Sequence, residues 1–125
     1  MEIIKSQELP QSNGHYSTAI ISNNTLYLSG QLPIDKEGNH YYKHSFEEQF
    51  NIIFENIDHI LTVSGSSLQQ VVKVTAYITD VALWSLFNEF FKNYFGTHKP
   101  VRTVVPVAAL HYGYKLEVEV IAEVN

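Results

Sequence analysis

The sequence contains no cysteine, and it has few charged residues for its length. Without cysteine, a disulfide scaffold, a thiolate nucleophile and a zinc site with cysteine ligands are excluded. Charged residues make up 17% of the 125 positions, and we expect that copies of the chain cover part of this weakly charged surface in an oligomer. The length favours a single domain over residues 1–125 with a sizeable core.

Basic residues are scarce as well. Lysine and arginine number 8 against 13 aspartates and glutamates, so the formal net charge is −5, and the basic residues form no cluster of the kind that binds nucleic acid. No apolar run approaches the roughly 20 residues that span a membrane, and residues 1–6 lack the apolar stretch of a signal peptide. We therefore expect a cytoplasmic protein that binds neither nucleic acid nor membrane.

Several catalytic signatures are also missing. The chain has no glycine-rich phosphate loop, no H-E-x-x-H pair and no G-x-S-x-G elbow, which argues against a nucleotide cofactor, a metal and a hydrolase triad. The histidines are not spaced as metal ligands, so we expect no metal and no cofactor. They are His15, His40, His44, His59, His98 and His111.

The periodicity of apolar residues predicts an α+β fold with the order β, β, β, α, β, α, β, β. Strands are predicted over 2–5, 16–22, 25–29, 71–79, 101–110 and 115–123, and helices over 46–64 and 81–95. Asn23-Asn24 suits the positive φ angles of a tight hairpin, and Ser45 with Glu48 forms a capping box. Gly65 is a natural stop for the first helix, and Asp80 is a candidate cap for the second.

The strand predicted over 101–110 is apolar on both sides. One layer of helices covers only one side of a sheet, so we expect the other side to be buried against copies of the chain. The strand over 71–79 weakens this argument, because Val72, Val74, Ala76 and Ile78 share one face while its second face is mixed.

Arg102 lies within this apolar strand, between Val101 and Val104. Its guanidinium stays charged and presents a fork of donors that fits a carboxylate, and burying it without a partner is costly. Three partners are open: an internal ion pair with Glu117 or Glu119, a neighbouring chain, or a ligand.

Glu117 and Glu119 alternate with valines, so both project from one face of the last strand. They form either a solvated face or a general acid/base that positions water. Tyr16 opens a predicted strand, where most tyrosines pack as wall residues. Ser29-Gly30 ends another, at a place where the backbone can approach a ligand closely.

Taken together, the motifs resemble the Rid family, also called YjgF or reactive intermediate deaminases. They occur in the family's order over nearly the whole chain, and they are Gly14-His15-Tyr16-Ser17, Leu28-Ser29-Gly30-Gln31-Leu32-Pro33, Phe46-Glu47-Glu48-Gln49, Asn56-Ile57, Gly65, Val71 to Asp80, Phe87-Asn88-Glu89-Phe90-Phe91, Pro100-Val101-Arg102-Thr103 and Leu116-Glu117-Val118-Glu119.

The resemblance implies a chorismate-mutase-like (YjgF-type) fold, a mixed six-stranded sheet with two helices on one face. It also implies a homotrimer with a central barrel and a ligand cleft at each subunit interface. Catalytic members hydrolyse enamines and imines, such as 2-aminoacrylate and 2-iminobutanoate, to 2-keto acids and ammonia without a cofactor. The partner would be a small metabolite that bears a carboxylate.

The resemblance also implies roles for individual residues. Arg102 matches the carboxylate-binding arginine, and Glu117 the glutamate that positions water. Tyr16 and Ser29 match residues that line the cleft. The backbone groups of Gly30 and Val104 match positions that face the ligand. Asn88 matches a recurrent asparagine near the interface.

The chain departs from the family pattern at Thr18, Val104, Pro106 and the turn His111-Tyr112-Gly113, which leaves the substrate preference open. Two further functions stay possible at this point: a non-catalytic trimer that binds a small carboxylate and regulates a partner, and a ribonuclease. The negative charge argues against the ribonuclease.

Overall fold

Six strands form one mixed sheet in the order β1-β2-β3-β6-β4-β5. The structure is a computed structural model and describes residues 1–11 and 14–125. The β4–β5 pair is parallel and the other pairs are antiparallel. The strands are β1 (Glu2–Ile4), β2 (Ala19–Ser22), β3 (Thr25–Leu28), β4 (Val71–Ile78), β5 (Val101–Pro106) and β6 (Leu116–Glu123), and the helices are α1 (Phe46–Val63) and α2 (Trp84–Phe95).

The turns and caps follow their local chemistry. Asn23 and Asn24 have φ angles of 52° and 59°, as predicted for the β2–β3 hairpin. The Ser45 hydroxyl accepts the N–H of Glu48 at 3.2 Å and caps α1. Asp80 caps a short 3-10 turn over Val81–Leu83 instead of α2, since its carboxylate accepts the N–H of Ala82 at 2.9 Å.

The core lies between the two helices and one face of the sheet, which we call the helix face. On β6 the buried side chains are Leu116, Val118, Val120 and Ala122, so every second residue points at the helices. The aromatic side chains of α1 and α2 interlock above them, with Phe50 and Phe54 stacked at 4.4 Å between ring centroids. Neither α1 nor α2 lies on the opposite side of the sheet, and we call this side the open face.

Two buried amides fix the segment that follows β3. The Gln49 side chain donates to the carbonyl of His44 at 3.1 Å and accepts the N–H of Lys115 at 3.0 Å. Asn56 donates to the carbonyl of Ile34 at 2.7 Å. Because an unpaired buried carbonyl or N–H costs roughly 1–3 kcal/mol, these bonds hold the chain beyond Gly30 against α1.

Several predicted strand limits are wrong. The second strand begins at Ala19 and not at Tyr16. Before it, the carbonyl of Ser17 accepts a hydrogen bond from the Ser29 hydroxyl at 2.6 Å and not from a strand N–H. The fifth strand ends at Pro106 and not at residue 110, because its partner β4 ends at Ile78, whose carbonyl accepts the last hydrogen bond of the ladder from the N–H of Val107 at 2.8 Å. The strand that was predicted to be apolar on both sides is therefore shorter than expected. This weakens the argument that its second side is buried against copies of the chain.

The predicted face of Val72 is also wrong. The register between β4 and β6 shifts between Val71 and Lys73, and this irregularity turns Val71 and Val74 to the helices while Val72 is exposed. A bulge of this kind cannot be read from alternation, since it inserts one residue into the two-residue period.

Ser6 attaches the N-terminal segment to α1, and Glu8 lies close to the same histidine. The Ser6 hydroxyl lies 2.8 Å from Nε2 of His59, and the Glu8 carboxylate lies 3.6 Å from Nδ1 of the same ring. The Glu8 side chain is 75% exposed, and 3.6 Å exceeds hydrogen-bond length, so the bond to Ser6 is the stronger contact.

In the part of the chain that the structure describes, neither helix is long and apolar enough to cross a membrane.

Candidate functional site

Arg102 lies on β5, at the edge of the sheet, and points to the helix face. Its register partner on β4 is Val74, which is fully buried under the helices. The Nη1 atom of Arg102 donates to the side-chain oxygen of Asn88 at 3.0 Å. Its guanidinium carbon lies 4.9 Å from the ring centroid of Phe91 and 5.5 Å from that of Trp84.

These rings and the asparagine come from one stripe of α2. Trp84, Phe87, Asn88 and Phe91 follow the i, i+3, i+4, i+7 spacing that places residues on one helix face. Contacts of this kind with an aromatic face are worth about 0.5–2 kcal/mol each. The stripe therefore fixes the guanidinium above β5.

The charge of Arg102 has no carboxylate partner among the residues that the structure describes. An internal ion pair with Glu117 or Glu119 is thus not formed among the described residues, and of the three partners considered the neighbouring chain and the ligand stay open. Burial lowers the pKa of Arg102, but a guanidinium titrates so high that it stays charged. The guanidinium has five N–H donors. In the described part of the chain, the side-chain oxygen of Asn88 is the one acceptor that they bond.

Glu117 lies on β6 and points to the open face. It alternates with the buried Leu116 and Val118, and its partner on β4 is Tyr77. Burial raises the pKa of the Glu117 carboxyl, and the negative charge of Glu119 raises it further, while the nearby His111 opposes the shift. A carboxyl poised in this way can exchange protons nearer to neutral pH than an ordinary glutamate.

Gly30 adjoins this carboxylate. A Cβ atom at position 30 would lie 2.6 Å from Oε2 of Glu117, so the absence of a side chain creates the space that the carboxylate occupies. Gln31 then exchanges two backbone hydrogen bonds with Val118, at 2.7 and 3.1 Å. These bonds hold the Gly30 backbone beside the start of β6.

Ser29 and Tyr16 lie on the same side of the molecule as Gly30. The Ser29 N–H donates to the carbonyl of Thr18 at 2.9 Å, and the Ser29 hydroxyl donates to the carbonyl of Ser17. Tyr16 is 59% exposed and precedes β2, so it is not the strand residue that the sequence predicted. Tyr16 and Gly30 line one small cavity of about 70 Å³.

The predicted site residues thus form two groups in one chain. Tyr16, Ser29, Gly30 and Glu117 make up the first group. Arg102, Asn88 and Val104 make up the second, since Val104 faces the buried Ala76 and packs against the core. Gly30 adjoins Glu117 and shares a cavity with Tyr16, and Asn88 is hydrogen-bonded to Arg102. Arg102 and Glu117, however, lie on opposite faces of the sheet.

Sequence reasoning missed the contribution of Trp84 and Phe91 to the Arg102 environment, and that of His111 to Glu117. The helical spacing of Trp84, Asn88 and Phe91 was a usable signal, but it indicates a core face equally well. His111 left no signal, because the turn over His111–Gly113, in which Tyr112 has a φ of 59°, cannot be placed against Glu117 without coordinates.

The cavities differ in their charge. The one that Arg102 lines has a volume of about 460 Å³ and runs between α2 and the start of β5. A groove of about 510 Å³ follows the N-terminal segment, and Lys5 is the single charged residue among the described residues that line it.

No group of three or more potential metal ligands converges within residues 1–11 and 14–125.

The chain is similar to known proteins in sequence and in fold. The family model described as Endoribonuclease L-PSP matches residues 6–124. A RutC family protein of Pyrococcus abyssi is 40% identical over 121 residues, which cover 97% of this chain and 95% of that protein. The chloroplastic Reactive Intermediate Deaminase A of Arabidopsis thaliana is 36% identical over 97% of this chain and 65% of its own.

The fold has close counterparts among solved structures. TdcF of E. coli, whose crystal structure contains bound serine, superposes with a TM-score of 0.91 at 30% sequence identity, and the match covers 100% of both chains. Agreement of this extent covers the sheet, both helices and the strands that carry Arg102 and Glu117.

Proposed function

Because the chain belongs to the Endoribonuclease L-PSP family, also called the YjgF or Rid family, we propose that it hydrolyses reactive imines and enamines to 2-keto acids and ammonia. The expected substrates are of the 2-iminobutanoate and 2-aminoacrylate type. The observation that carries this proposal is the charged Arg102, which lacks a carboxylate partner among the described residues. The deaminase name of the A. thaliana relative supports it as well.

The proposed active site is completed by a second copy of the chain. One small substrate cannot touch side chains on opposite faces of a sheet, so Arg102 and Glu117 of the same copy cannot act on it together. We place Arg102 of one copy against Glu117 of the next in a homotrimer whose open faces form a central barrel. Heterologous contacts of this kind close into a ring.

In this site Arg102 binds the substrate carboxylate through its free donors and thereby fixes the adjacent imine carbon. Glu117 accepts a proton from a water molecule whose oxygen attacks that carbon. The resulting carbinolamine takes the proton from Glu117 on its nitrogen. The C–N bond then breaks as the ionised Glu117 accepts the hydroxyl proton, which passes on to the departing nitrogen. The imine and water become a 2-keto acid and ammonia, with Glu117 returned to its starting state.

The remaining site residues shape this cleft. Asn88 holds the guanidinium of Arg102 in place, while Ser29, the backbone of Gly30 and the ring of Tyr16 form the wall beside Glu117. The backbone of Val104 borders Arg102. These imines already react readily with water, so positioning a water molecule and a carboxylate is sufficient for catalysis.

The test generates 2-iminobutanoate from threonine with a dehydratase in the presence of semicarbazide, which traps the imine. The wild-type protein should compete with the trap, lowering the rate of semicarbazone formation and releasing 2-oxobutanoate. Arg102→Ala should abolish this competition. A wild-type protein that leaves the trapping rate unchanged would refute the proposal.

Non-catalytic binding of a small carboxylate is the second candidate, and the serine bound to TdcF favours it. Calorimetry with serine and 2-oxobutanoate separates the two functions. Binding that depends on Arg102 without any turnover in the trapping assay would select the binding function.

A further inference from the structure

The cavity between α2 and the start of β5 contains three of the eight basic residues of the chain. We propose that it binds a second carboxylate of the substrate, so that the protein prefers imines of dicarboxylic amino acids over those of monocarboxylic ones. This inference rests on the proposed function, because it assigns the substrate class of the same site.

The lining of the cavity is cationic. Arg102 lines it beside its hydrogen-bond partner Asn88, and Lys92 and Lys99 line the same space. No aspartate or glutamate is among the described residues that line it. In a chain whose net charge is −5, a cavity with three positive side chains and no negative one is selective for anions.

The size of the cavity exceeds what a small monocarboxylate needs. Its volume of about 460 Å³ lies within the roughly 300–1,000 Å³ of typical ligand sites, whereas the imine of a four-carbon amino acid is much smaller. Phe91 and Phe95 also line the cavity, and their apolar rings suit the methylene groups that join two carboxylates.

Lys92 has an ordinary structural role too, since it lies in the last turn of α2 and complements the negative end of the helix dipole. That end is equivalent to only about −0.5 charge, so three full positive charges outweigh it and the cavity remains attractive to an anion. His98 is fixed by a 2.7 Å contact between its Nε2 and the carbonyl of Val71.

The arginine and the two lysines of the cavity suit different carboxylates. The planar fork of Arg102 favours bidentate binding of the carboxylate next to the imine carbon, while lysine ammonium groups act as mobile point charges. A dicarboxylic imine therefore gains one additional charged contact at Lys92 or Lys99. A monocarboxylic imine binds Arg102 alone and leaves both lysines in solvent.

The kinetic test compares two imines in the semicarbazide trap. An amino-acid oxidase produces 2-iminoglutarate from glutamate and 2-iminobutanoate from 2-aminobutanoate. We expect kcat/KM to favour 2-iminoglutarate by about tenfold, which corresponds to about 1.4 kcal/mol. The double variant Lys92→Met/Lys99→Met should remove this preference.

The matched control is Lys36→Met/Lys43→Met, which removes the same charge from exposed positions that do not line the cavity. It should retain the wild-type ratio of the two kcat/KM values. Equal ratios in the two double variants, or a wild-type preference for 2-iminobutanoate, would overturn the second-carboxylate site.

Binding gives a readout that does not depend on turnover. By calorimetry, 2-oxoglutarate should bind the wild-type protein about tenfold more tightly than 2-oxobutanoate, and the Lys92→Met/Lys99→Met variant should lose the difference. Equal affinities in the wild type would overturn the inference. If neither imine is hydrolysed but the affinities differ as expected, the proposed function fails while the second-carboxylate site stands.

Discussion

Arg102 and Glu117 lie on opposite faces of one sheet, on strands that are separated only by β4. Arg102 is level with the buried Val74 on the helix face, whereas Glu117 is level with Tyr77 on the open face. A change of rotamer cannot carry a side chain through the sheet. Chemistry that uses both groups on one small molecule therefore requires two copies of the chain.

Asn88→Asp should weaken substrate binding. The change keeps an oxygen acceptor for Nη1 of Arg102 but adds a negative charge at 3.0 Å, so an internal ion pair competes with the substrate carboxylate. We expect KM for 2-iminobutanoate to rise about tenfold, equivalent to about 1.4 kcal/mol, with a smaller change in kcat. Steady-state kinetics in the trapping assay measures both.

Asn93→Asp is the matched control, because it makes the same chemical change at an exposed position of α2. Its KM should equal that of the wild type. If Asn88→Asp leaves KM unchanged as well, Arg102 does not bind the substrate carboxylate.

Gly30→Ala should reduce turnover without unfolding the protein. The added Cβ would lie 2.6 Å from Oε2 of Glu117, and the end of this flexible side chain can move away at little cost. The carboxylate then leaves its position, and misplacing a reacting group by about 1 Å costs on the order of a hundredfold in rate. Thermal unfolding and kcat are measured on the same preparation.

Gly38→Ala should lower stability without reducing turnover, which is the opposite of the result expected for Gly30→Ala. Gly38 has a φ of 85°, and a Cβ atom added there would meet nothing within 4 Å. Because only the backbone conformation opposes the change, alanine there should cost about 1–2 kcal/mol of stability and leave kcat intact. A Gly30→Ala variant that loses stability but keeps full turnover would show that Glu117 is not the group that handles the water.

The pH dependence of kcat/KM should report the raised pKa of Glu117. Its pKa is raised, by burial first and by Glu119 second, and it must be ionised to accept a proton from water. Activity is therefore present at higher pH and is lost as the pH falls through this raised pKa. The acid limb of kcat/KM should lie above the range of an ordinary glutamate.

Two variants should shift the acid limb of the kcat/KM profile in opposite directions. Glu119→Gln removes a negative charge but keeps an acceptor for the hydroxyl of Tyr77, which donates to Glu119 at 2.6 Å, so the limb should move to lower pH. His111→Gln removes a group that lowers the pKa of Glu117, and the limb should move to higher pH. Shifts of the same sign would exclude Glu117 as the titrating group.

The sequence predicted most of the fold because its local signals agree. Asn23-Asn24, the Ser45 cap and the glycine after α1 each act through neighbouring residues, and the structure confirms all three. The irregularity at Val71 and the end of β5 at Pro106 were missed. They depend on which strands pair and on the register between them, which alternation alone does not contain.

The sequence supplied candidate site residues but not their arrangement. The motif resemblance selected Arg102, Glu117 and Gly30, and the structure places the last two in contact. Which face of the sheet Arg102 occupies depends on the parallel register of β4 and β5, so its separation from Glu117 could not be deduced. Likewise, the neighbourhood of Lys92, Lys99 and Arg102 exists only once α2 lies beside β5.

Subunit mixing tests the central claim most directly. Arg102→Ala and Glu117→Gln should each be inactive alone, because every site then lacks one group. Refolded together in equal amounts, they should recover about one quarter of the wild-type activity, since about one interface in four joins an intact Arg102 to an intact Glu117 in a randomly assembled ring. A mixture as inactive as its components would contradict a site shared between copies.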